Sequence, residues 1–251
     1  MSVRAKKELG QHFLVDENIL GVIGRLAELQ PDDVVLEIGP GLGVLTRYLA
    51  ERVAHVHAVE LDRSLEPHLP RAGNVSLHWG DGLRLDLAAY GANKLVANLP
   101  YNVATPLLVE SLDRIPGLES WTVMLQREVA DRLFAQPSTK SYGAVSVLVQ
   151  LATERTGFHP VSREVFRPRP SVESALVAFR RTALPPDWRS LKRLVEGAFA
   201  HRRKTLPNSL ELSGLATRGQ AAAALEAIGR GSATRAEALA PAEFVRLAEA
   251  L

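Results

Sequence analysis

Apolar and polar positions follow two alternating periodicities along the first 180 residues of the chain. Short apolar runs typical of buried strands occur at residues 34–38, 55–59, 75–79, 94–97, 121–126, 152–158 and 174–180. Apolar positions with helical spacing lie between these runs, at residues 17–29, 44–49, 104–113, 128–135 and 145–151. This alternation predicts an α/β fold with a mostly parallel sheet covered by helices on both faces.

The pattern changes after Pro185-Pro186, where only helical spacing remains. The predicted helices are 187–200, 205–212, 218–228 and 241–250. We therefore predict two domains, an α/β domain at residues 1–183 and a small helical domain at residues 184–251. With 251 residues, of which 46% are hydrophobic, the chain is long enough for one full core and a small second one.

A glycine-rich turn, Gly39-Pro40-Gly41-Leu42-Gly43, joins the first long strand to a helix. Glycines allow the backbone to approach a ligand closely, and the following helix presents free N–H groups. The next strand ends at Glu60, where a carboxylate can bind two ribose hydroxyls. The third glycine is Gly43, so the spacing is G-x-G-x-G, which weakens the case for a pyrophosphate. A dinucleotide and S-adenosylmethionine both remain candidate ligands from this pattern.

The strand at residues 75–79 is followed by Gly80-Asp81, so Asp81 can accept a hydrogen bond from an adenine amine. A solvated strand end or a helix cap is an equally good reading of Glu60 or Asp81 alone. Because the carboxyl ends of parallel strands meet in one crevice, the two acids in series favour a site for a nucleoside.

The segment Asn98-Leu99-Pro100-Tyr101 follows the strand at residues 94–97. An exocyclic amine on an aromatic ring is a poor nucleophile, because its lone pair is delocalised. The Asn98 side-chain oxygen and the Leu99 carbonyl can accept its two N–H groups and favour a pyramidal nitrogen. Pro100 fixes the backbone, and Tyr101 offers a ring for base stacking. These four residues predict methyl transfer to a nucleobase, whereas the bland reading is a turn with a packed tyrosine.

The net charge of the chain is only +2, but basic residues are concentrated in one segment. Residues 180–204 contain eight basic and two acidic side chains, which is a local charge of +6. We predict that Arg202, Arg203 and Lys204 bind an RNA backbone, together with Arg4, Lys6 and Lys7 at the other end of the chain. A solvated helix face is the alternative reading of the patch.

The chain has no cysteine, and its seven histidines are scattered, so we expect no disulfide and no metal site. His55 and His57 share a face of a predicted strand and are interpreted as surface or core side chains. No apolar run approaches the length of a membrane span, and the first 15 residues lack a secretory core. We expect a cytoplasmic protein.

The motifs together resemble the class I methyltransferases that use S-adenosylmethionine. More narrowly, they resemble the bacterial small-subunit (16S) ribosomal RNA adenine N6,N6-dimethyltransferases, the kasugamycin-resistance family. The segments that carry the resemblance span almost the whole chain and are Lys6-Lys7-Glu8-Leu9-Gly10-Gln11-His12-Phe13-Leu14, Gln126-Arg127-Glu128-Val129-Ala130, Tyr142-Gly143-Ala144-Val145-Ser146, residues 166–174 and Phe199-Ala200-His201-Arg202-Arg203-Lys204-Thr205-Leu206.

The resemblance implies a Rossmann-like catalytic domain, a helical RNA-binding domain, and S-adenosyl-L-methionine as the cofactor. It implies cofactor contacts for Gln11, His12, Leu14, Gly39, Gly41, Glu60, Leu61, Asp81, Gly82 and Asn98. It also implies that Phe166 is a second aromatic side chain, which contacts the target base opposite Tyr101. Many relatives have Asn where this chain has His12, and Ala where it has Gly82.

The implied substrate is two adjacent adenines near the 3′ end of 16S rRNA, in a precursor of the small ribosomal subunit. We expect a monomer. Three alternatives remain open. They are a 23S rRNA adenine methyltransferase of the macrolide-resistance type, a DNA adenine methyltransferase, and a ribosome-assembly or transcription factor that binds without turnover.

Overall fold

The computed structural model describes Lys6 and residues 11–251. Its strands are β1 (Phe13–Leu14), β2 (Val34–Ile38), β3 (His55–Glu60), β4 (Val75–Trp79), β5 (Lys94–Asn98), β6 (Ser120–Gln126), β7 (Thr153–Val161), β8 (Phe166–Arg167) and β9 (Ser174–Arg181). Its α-helices are α1 (Asn18–Ala27), α2 (Val44–Ala50), α3 (Ala104–Arg114), α4 (Arg127–Leu133), α5 (Ala144–Ala152), α6 (Trp188–Ala200), α7 (Leu206–Leu212), α8 (Arg218–Ala227) and α9 (Pro241–Ala250). Every strand and helix predicted from the sequence is present within about three residues at each end, as the periodicity predicts.

Among the described residues, seven strands form one sheet in the order β4-β3-β2-β5-β6-β9-β7. The strands from β4 to β6 pair in parallel, and β9 runs antiparallel to β6. The predicted α/β fold with a mostly parallel sheet is therefore confirmed. Because β2, β3, β4 and β5 all point the same way, the residues that follow them meet at one edge of the sheet.

The core explains why these apolar runs form central strands. Val35 and Leu36 in β2 and Leu95 in β5 are wholly buried, as expected for a parallel sheet covered on both faces. Helix α1 buries Ile23 and its other apolar side chains in the same core, where it packs on β5, β6 and β9. The sheet is thus a rigid support for the loops at its carboxyl edge.

The chain divides into two compact units. The first comprises Met1–Ala130 and Glu154–Arg181, and the second comprises Asp131–Thr153 and Thr182–Leu251. The later break lies close to the boundary that Pro185-Pro186 suggested, but the structure also assigns Asp131–Thr153 to the second unit. The cause is tertiary contact within that unit, where the buried Tyr142 hydroxyl donates to the Leu239 carbonyl at 2.8 Å and Ser138 N donates to the Glu237 carbonyl at 2.7 Å.

The second unit is built around α6, which packs against α5, α7 and α9. Trp188, Leu191 and Val195 line the buried face of α6, whereas Arg189 and Arg193 are exposed. No helix within the described part of the chain is long and apolar enough to cross a membrane.

Candidate functional site

The glycine turn between β2 and α2 has a backbone conformation that strongly favours glycine. Gly39 and Gly41 have φ angles of +75° and +58°, in the left-handed region. A Cβ atom at Gly39 would lie 3.1 Å from Cδ and Cγ of Pro100, and one at Gly41 would lie 3.1 Å from Cδ1 of Phe13. The turn is therefore packed directly against the Asn-Leu-Pro-Tyr segment and against the segment that begins at Gln11.

Glu60, the last residue of β3, bonds to the backbone of the glycine turn. Its Oε2 accepts from Gly41 N at 3.3 Å, and its Oε1 accepts from Leu61 N at 2.9 Å and Asp62 N at 2.8 Å. Burial raises the pKa of Glu60, although these three backbone donors oppose the shift. The carboxyl group is fixed at the cavity wall beside the turn.

Asp81 stands one residue beyond Gly80, which follows β4. Its Oδ1 accepts from Leu83 N at 2.9 Å, and Arg84 Nε lies 3.5 Å from its Oδ2. The guanidinium of Arg114 donates to the Leu83 carbonyl at 2.7 Å, which ties the loop to the end of α3. The Asp81 side chain remains partly exposed to the cavity that it lines.

Asn98 ends β5 and carries a buried acceptor with no partner. Its Nδ2 donates to the His12 carbonyl at 3.2 Å, so the amide orientation is set. Its Oδ1 is buried and has no hydrogen-bond partner among the described residues. Unpaired buried oxygens are rare in folded proteins, and this one lines a cavity that a ligand donor can enter.

Tyr101 is the last residue of the same Asn-Leu-Pro-Tyr segment. Its hydroxyl shares a 2.8 Å hydrogen bond with Ser174 Oγ, and its ring centroid lies 5.4 Å from that of His12. Burial raises the pKa of Tyr101, with the Ser174 hydrogen bond opposing, so the side chain is a neutral phenol. The ring has a fixed orientation on the cavity wall.

One cavity in the first unit collects nearly all of the residues that the sequence singled out. Those that line it are Gln11, His12, Leu14, Gly39, Gly41, Glu60, Leu61, Asp81, Gly82, Asn98, Leu99, Pro100 and Tyr101. They come from four strand ends and from the segment that precedes α1, so the convergence is a property of the fold.

The placement expected for Phe166 is corrected by the structure. Its side chain is wholly buried, in the same core as Leu14 and Ile23, and it does not line the cavity. The reason is a two-residue strand pairing, in which β8 runs antiparallel to β1 and Leu14 pairs with Phe166. In this structure Phe166 packs in the core beside β1 and does not line the cavity with Tyr101.

Glu37 is a cavity residue that the sequence reasoning missed. It is the one charged side chain in the apolar run of β2, it is almost wholly buried, and its Oε2 has no partner among the described residues. Burial raises the pKa of Glu37 to about 8; the Thr46 hydroxyl and the Arg47 charge oppose the rise, and the nearby carboxyl of Glu60 adds to it. The sequence did contain a signal for Glu37, because it is a single acidic residue inside an otherwise apolar strand.

The predicted RNA-binding residues divide into three groups. Arg202, Arg203 and Lys204 follow α6 and are exposed, although Arg202 also donates to the Tyr142 carbonyl at 3.1 Å. Lys6 forms an ion pair with Asp62 at 2.7 Å, so its charge is already balanced. Arg4 and Lys7 lie outside the described residues.

The paired His55 and His57 do share a face of β3, as expected. His57 Nδ1 lies 3.0 Å from His78 Nε2, and the Tyr90 ring stacks on both of these imidazoles. Burial, with His55 and His78 nearby, lowers the pKa of His57 to about 4. Within Lys6 and residues 11–251, no group of three or more histidine or acidic side chains is arranged to hold a metal ion.

A mostly parallel sheet that delivers a glycine turn, two acids and an Asn-Leu-Pro-Tyr segment to one edge defines the class I methyltransferases. The sequence relatives narrow the class further. The chain belongs to the ribosomal RNA adenine dimethylase family, whose sequence pattern matches residues 2–251. Membership of this family implies use of S-adenosyl-L-methionine.

Relatives match over their full length. The chain is 48% identical to the ribosomal RNA small subunit methyltransferase A of Rubrobacter xylanophilus, over 97% of this chain and 94% of that protein. It is 44% identical to the protein of the same name from Thermosynechococcus vestitus, over 99% of this chain and 97% of that one.

Solved structures give the same picture of the fold. A dimethyladenosine transferase from Plasmodium falciparum superimposes with a TM-score of 0.79 at 22% identity, over 94% of this chain and 96% of that chain. The 23S rRNA methyltransferase ErmE superimposes with a TM-score of 0.65 at 29% identity, over 95% of this chain and 99% of that chain.

Proposed function

We propose that the protein methylates N6 of adenine in ribosomal RNA, and that its substrate is the pair of adjacent adenines near the 3′ end of 16S rRNA in a small-subunit precursor. Two methyl groups are added to each adenine. The buried, unpaired Oδ1 of Asn98 carries the proposal, because an exocyclic amine is the donor that such an oxygen needs.

The cavity has the groups that the cofactor requires. Glu60 would bind the ribose hydroxyls, Asp81 would accept from the adenine amine of the cofactor, and the turn at Gly39 and Gly41 would lie beneath its methionine part. S-adenosyl-L-methionine supplies an electrophilic sulfonium methyl group when it is bound. The unpaired oxygens of Glu37 and Asn98 and the glycine cradle support this fit.

The chain's own residues then act on the target base. Asn98 Oδ1 and the Leu99 carbonyl accept hydrogen bonds from the amine, which localises the nitrogen lone pair and directs it toward the methyl group. The ring of Tyr101 stacks on a base that has left its helix, and single-stranded or looped RNA requires the least unstacking. Water can take the proton released after each transfer, so no strong base is required.

The second unit is proposed to hold the RNA. Arg202, Arg203 and Lys204 are exposed and follow the C-terminal end of α6, which itself carries the exposed Arg189 and Arg193. Contacts of this kind go to phosphates and position the substrate without reading its sequence. The RNA-binding part then includes Asp131–Thr153 in addition to the predicted residues 184–251.

The test offers S-adenosyl-L-methionine with a labelled methyl group to unmethylated small ribosomal subunits, 23S rRNA and duplex DNA. We expect label on two adjacent adenines of the 16S rRNA, and Asn98→Ala lowers kcat by about 10²–10³-fold, as the loss of an oriented polar group does. Asn18→Ala, which changes an exposed amide at the start of α1, serves as the matched control and stays at wild-type activity.

The alternatives give different outcomes. Label only on 23S rRNA would favour the alternative of a 23S rRNA adenine methyltransferase, and this chain is 29% identical to the 23S rRNA methyltransferase ErmE. Label only on DNA would exclude an RNA enzyme. Tight subunit binding without any label would favour an assembly factor, and equal labelling by Asn98→Ala would refute the role given to Asn98.

A further inference from the structure

Asp62 follows Glu60 by two residues and has a side chain that is only 3% exposed. It begins the 3-10 helix Arg63–His68, and its Oδ1 accepts from Ser64 N at 3.1 Å and from Ser64 Oγ at 2.6 Å. These bonds suffice for a helix cap. A cap of this kind is usually exposed, so the burial of Asp62 calls for a further explanation.

The remaining partners of Asp62 come from a distant part of the chain. Lys6 Nζ donates to Oδ1 at 2.7 Å, and Gln11 Nε2 donates to Oδ2 at 3.0 Å. Gln11 Oε1 in turn accepts from Lys6 N at 2.8 Å, so both ends of its amide are used. Burial raises the pKa of Asp62, but the hydrogen bonds from Lys6, Ser64 and Gln11 outweigh burial and hold the pKa well below its usual range. The group is therefore an anion at neutral pH.

The residues that Asp62 holds continue directly into the cavity wall. Gln11 and His12 line the cavity, and the His12 carbonyl accepts from Asn98 Nδ2. Phe13 packs on the glycine turn at Gly41. On its other side, the backbone N–H of Asp62 donates to Glu60. One buried carboxylate therefore links the ribose-binding acid to the segment that orients Asn98.

We infer that Asp62 is a positioning residue, which latches Lys6 and Gln11 in place and, through Gln11, holds residues 11–14 at the wall of the cofactor cavity. The inference rests on the proposed function, since it concerns the same cavity. Asp62 is not among the residues that line the cavity, so it acts through Gln11 and Glu60. When a site binds its ligand in only one arrangement of its wall, the apparent dissociation constant rises as the population of that arrangement falls. Loss of the latch therefore weakens cofactor binding more than it slows the reaction at saturation.

The experiment measures binding of S-adenosylhomocysteine to the full chain by calorimetry, together with KM for the cofactor and kcat. For Asp62→Asn and Lys6→Met we expect about tenfold weaker binding and a tenfold higher KM, with kcat changed less than twofold, because each change removes a charge-assisted hydrogen bond. Lys6→Arg keeps the charge and restores most of the affinity. The double variant loses no more than Asp62→Asn alone, because the two residues act on one another.

Two further variants separate the latch from a simple cap. Asp86→Asn changes an exposed acid at the start of another 3-10 helix, Leu87–Tyr90, where the side chain makes no cap bond, and it leaves binding unchanged. Ser64→Ala removes the hydrogen bond from Ser64 Oγ to Asp62 but keeps the backbone cap bond and leaves Lys6 and Gln11 in place, and it lowers the thermal midpoint without changing affinity. Hydrogen exchange at the amides of Gln11–Leu14 in the ligand-free protein is faster in Asp62→Asn than in wild type.

The outcomes distinguish the two proposals. Unchanged affinity and unchanged exchange in Asp62→Asn would overturn the latch while leaving the proposed function intact. If Ser64→Ala and Asp62→Asn lost affinity to the same extent, Asp62 would act only as a helix cap. If the wild-type protein bound no S-adenosylhomocysteine, the proposed function would fail, and the exchange measurement would still decide whether Asp62 holds the segment.

Discussion

Replacing Glu37 with glutamine removes a buried titratable group from β2 while keeping the size of the side chain. In the native protein the pKa of Glu37 is raised by burial from 4.5 to about 8. The folded state therefore binds a proton that the unfolded chain releases above its own pKa. The stability contributed by this proton is complete below about pH 4.5 and is lost as the pH rises through about 8.

The magnitude follows from the size of the shift. Each pH unit over which the two states differ in protonation changes the free energy of unfolding by about 1.4 kcal/mol. Between pH 4.5 and about 8, the total loss attributable to Glu37 is on the order of 5 kcal/mol. That is a large part of the free energy of unfolding of a typical protein, which is roughly 5–15 kcal/mol.

The assay is urea unfolding of wild type and Glu37→Gln at a series of pH values from 5 to 8. We expect the free energy of unfolding of the variant, relative to that of wild type, to increase steadily with pH. If the new amide lowers stability by a fixed amount, this difference is lower at every pH but has the same slope. Glu119→Gln, at an exposed position in the first unit, should give a curve parallel to wild type. Parallel curves for Glu37→Gln itself would refute the reasoning, because Glu37 would then take up no proton on folding.

Gly41→Ala should weaken S-adenosylhomocysteine binding in calorimetry, because the positive φ costs about 1–2 kcal/mol and the new Cβ would press on Phe13 at 3.1 Å; unchanged affinity would contradict this. Lys94→Met should lower the free energy of unfolding in urea by about 3–5 kcal/mol, because it removes the positive charge that lies 2.9 Å from the buried Asp33 carboxylate, and neutralising Asp33 as well should recover part of the loss. Tyr101→Ala should raise KM for RNA through a stacking loss of about 1–3 kcal/mol, whereas Tyr101→Phe keeps the ring and should stay within a few-fold of wild type.

The part of the site that the sequence predicted is the part set by strand direction. Glu60, Asp81 and Asn98 each end or closely follow a strand of a parallel series, and parallel strands bring such residues to one edge. Their convergence therefore needs only the order of elements along the chain. Glycine identity at Gly39 and Gly41 was also informative, because their positive φ angles strongly favour glycine over other residues.

What the sequence did not predict depends on contacts between distant residues. Strand β8 is two residues long and leaves no periodic signal, yet its pairing with β1 decides that Phe166 is buried. The ion pair between Lys6 and Asp62 joins positions 56 residues apart. The inclusion of Asp131–Thr153 in the second unit likewise follows from contacts such as that of Tyr142 with Leu239. Local propensity carries no information about such pairings.

At Glu37 and Asn98, the requirements of the cavity conflict with those of a stable hydrophobic core. Both stand within or at the end of apolar strands, where a hydrophobic side chain would stabilise the core, and both leave a buried oxygen without a partner. An unpaired buried oxygen costs about 1–3 kcal/mol. The sheet tolerates this cost because its remaining strand positions are densely buried. Local inconsistency of this kind is expected at functional sites, where a residue is retained for binding or chemistry rather than for stability.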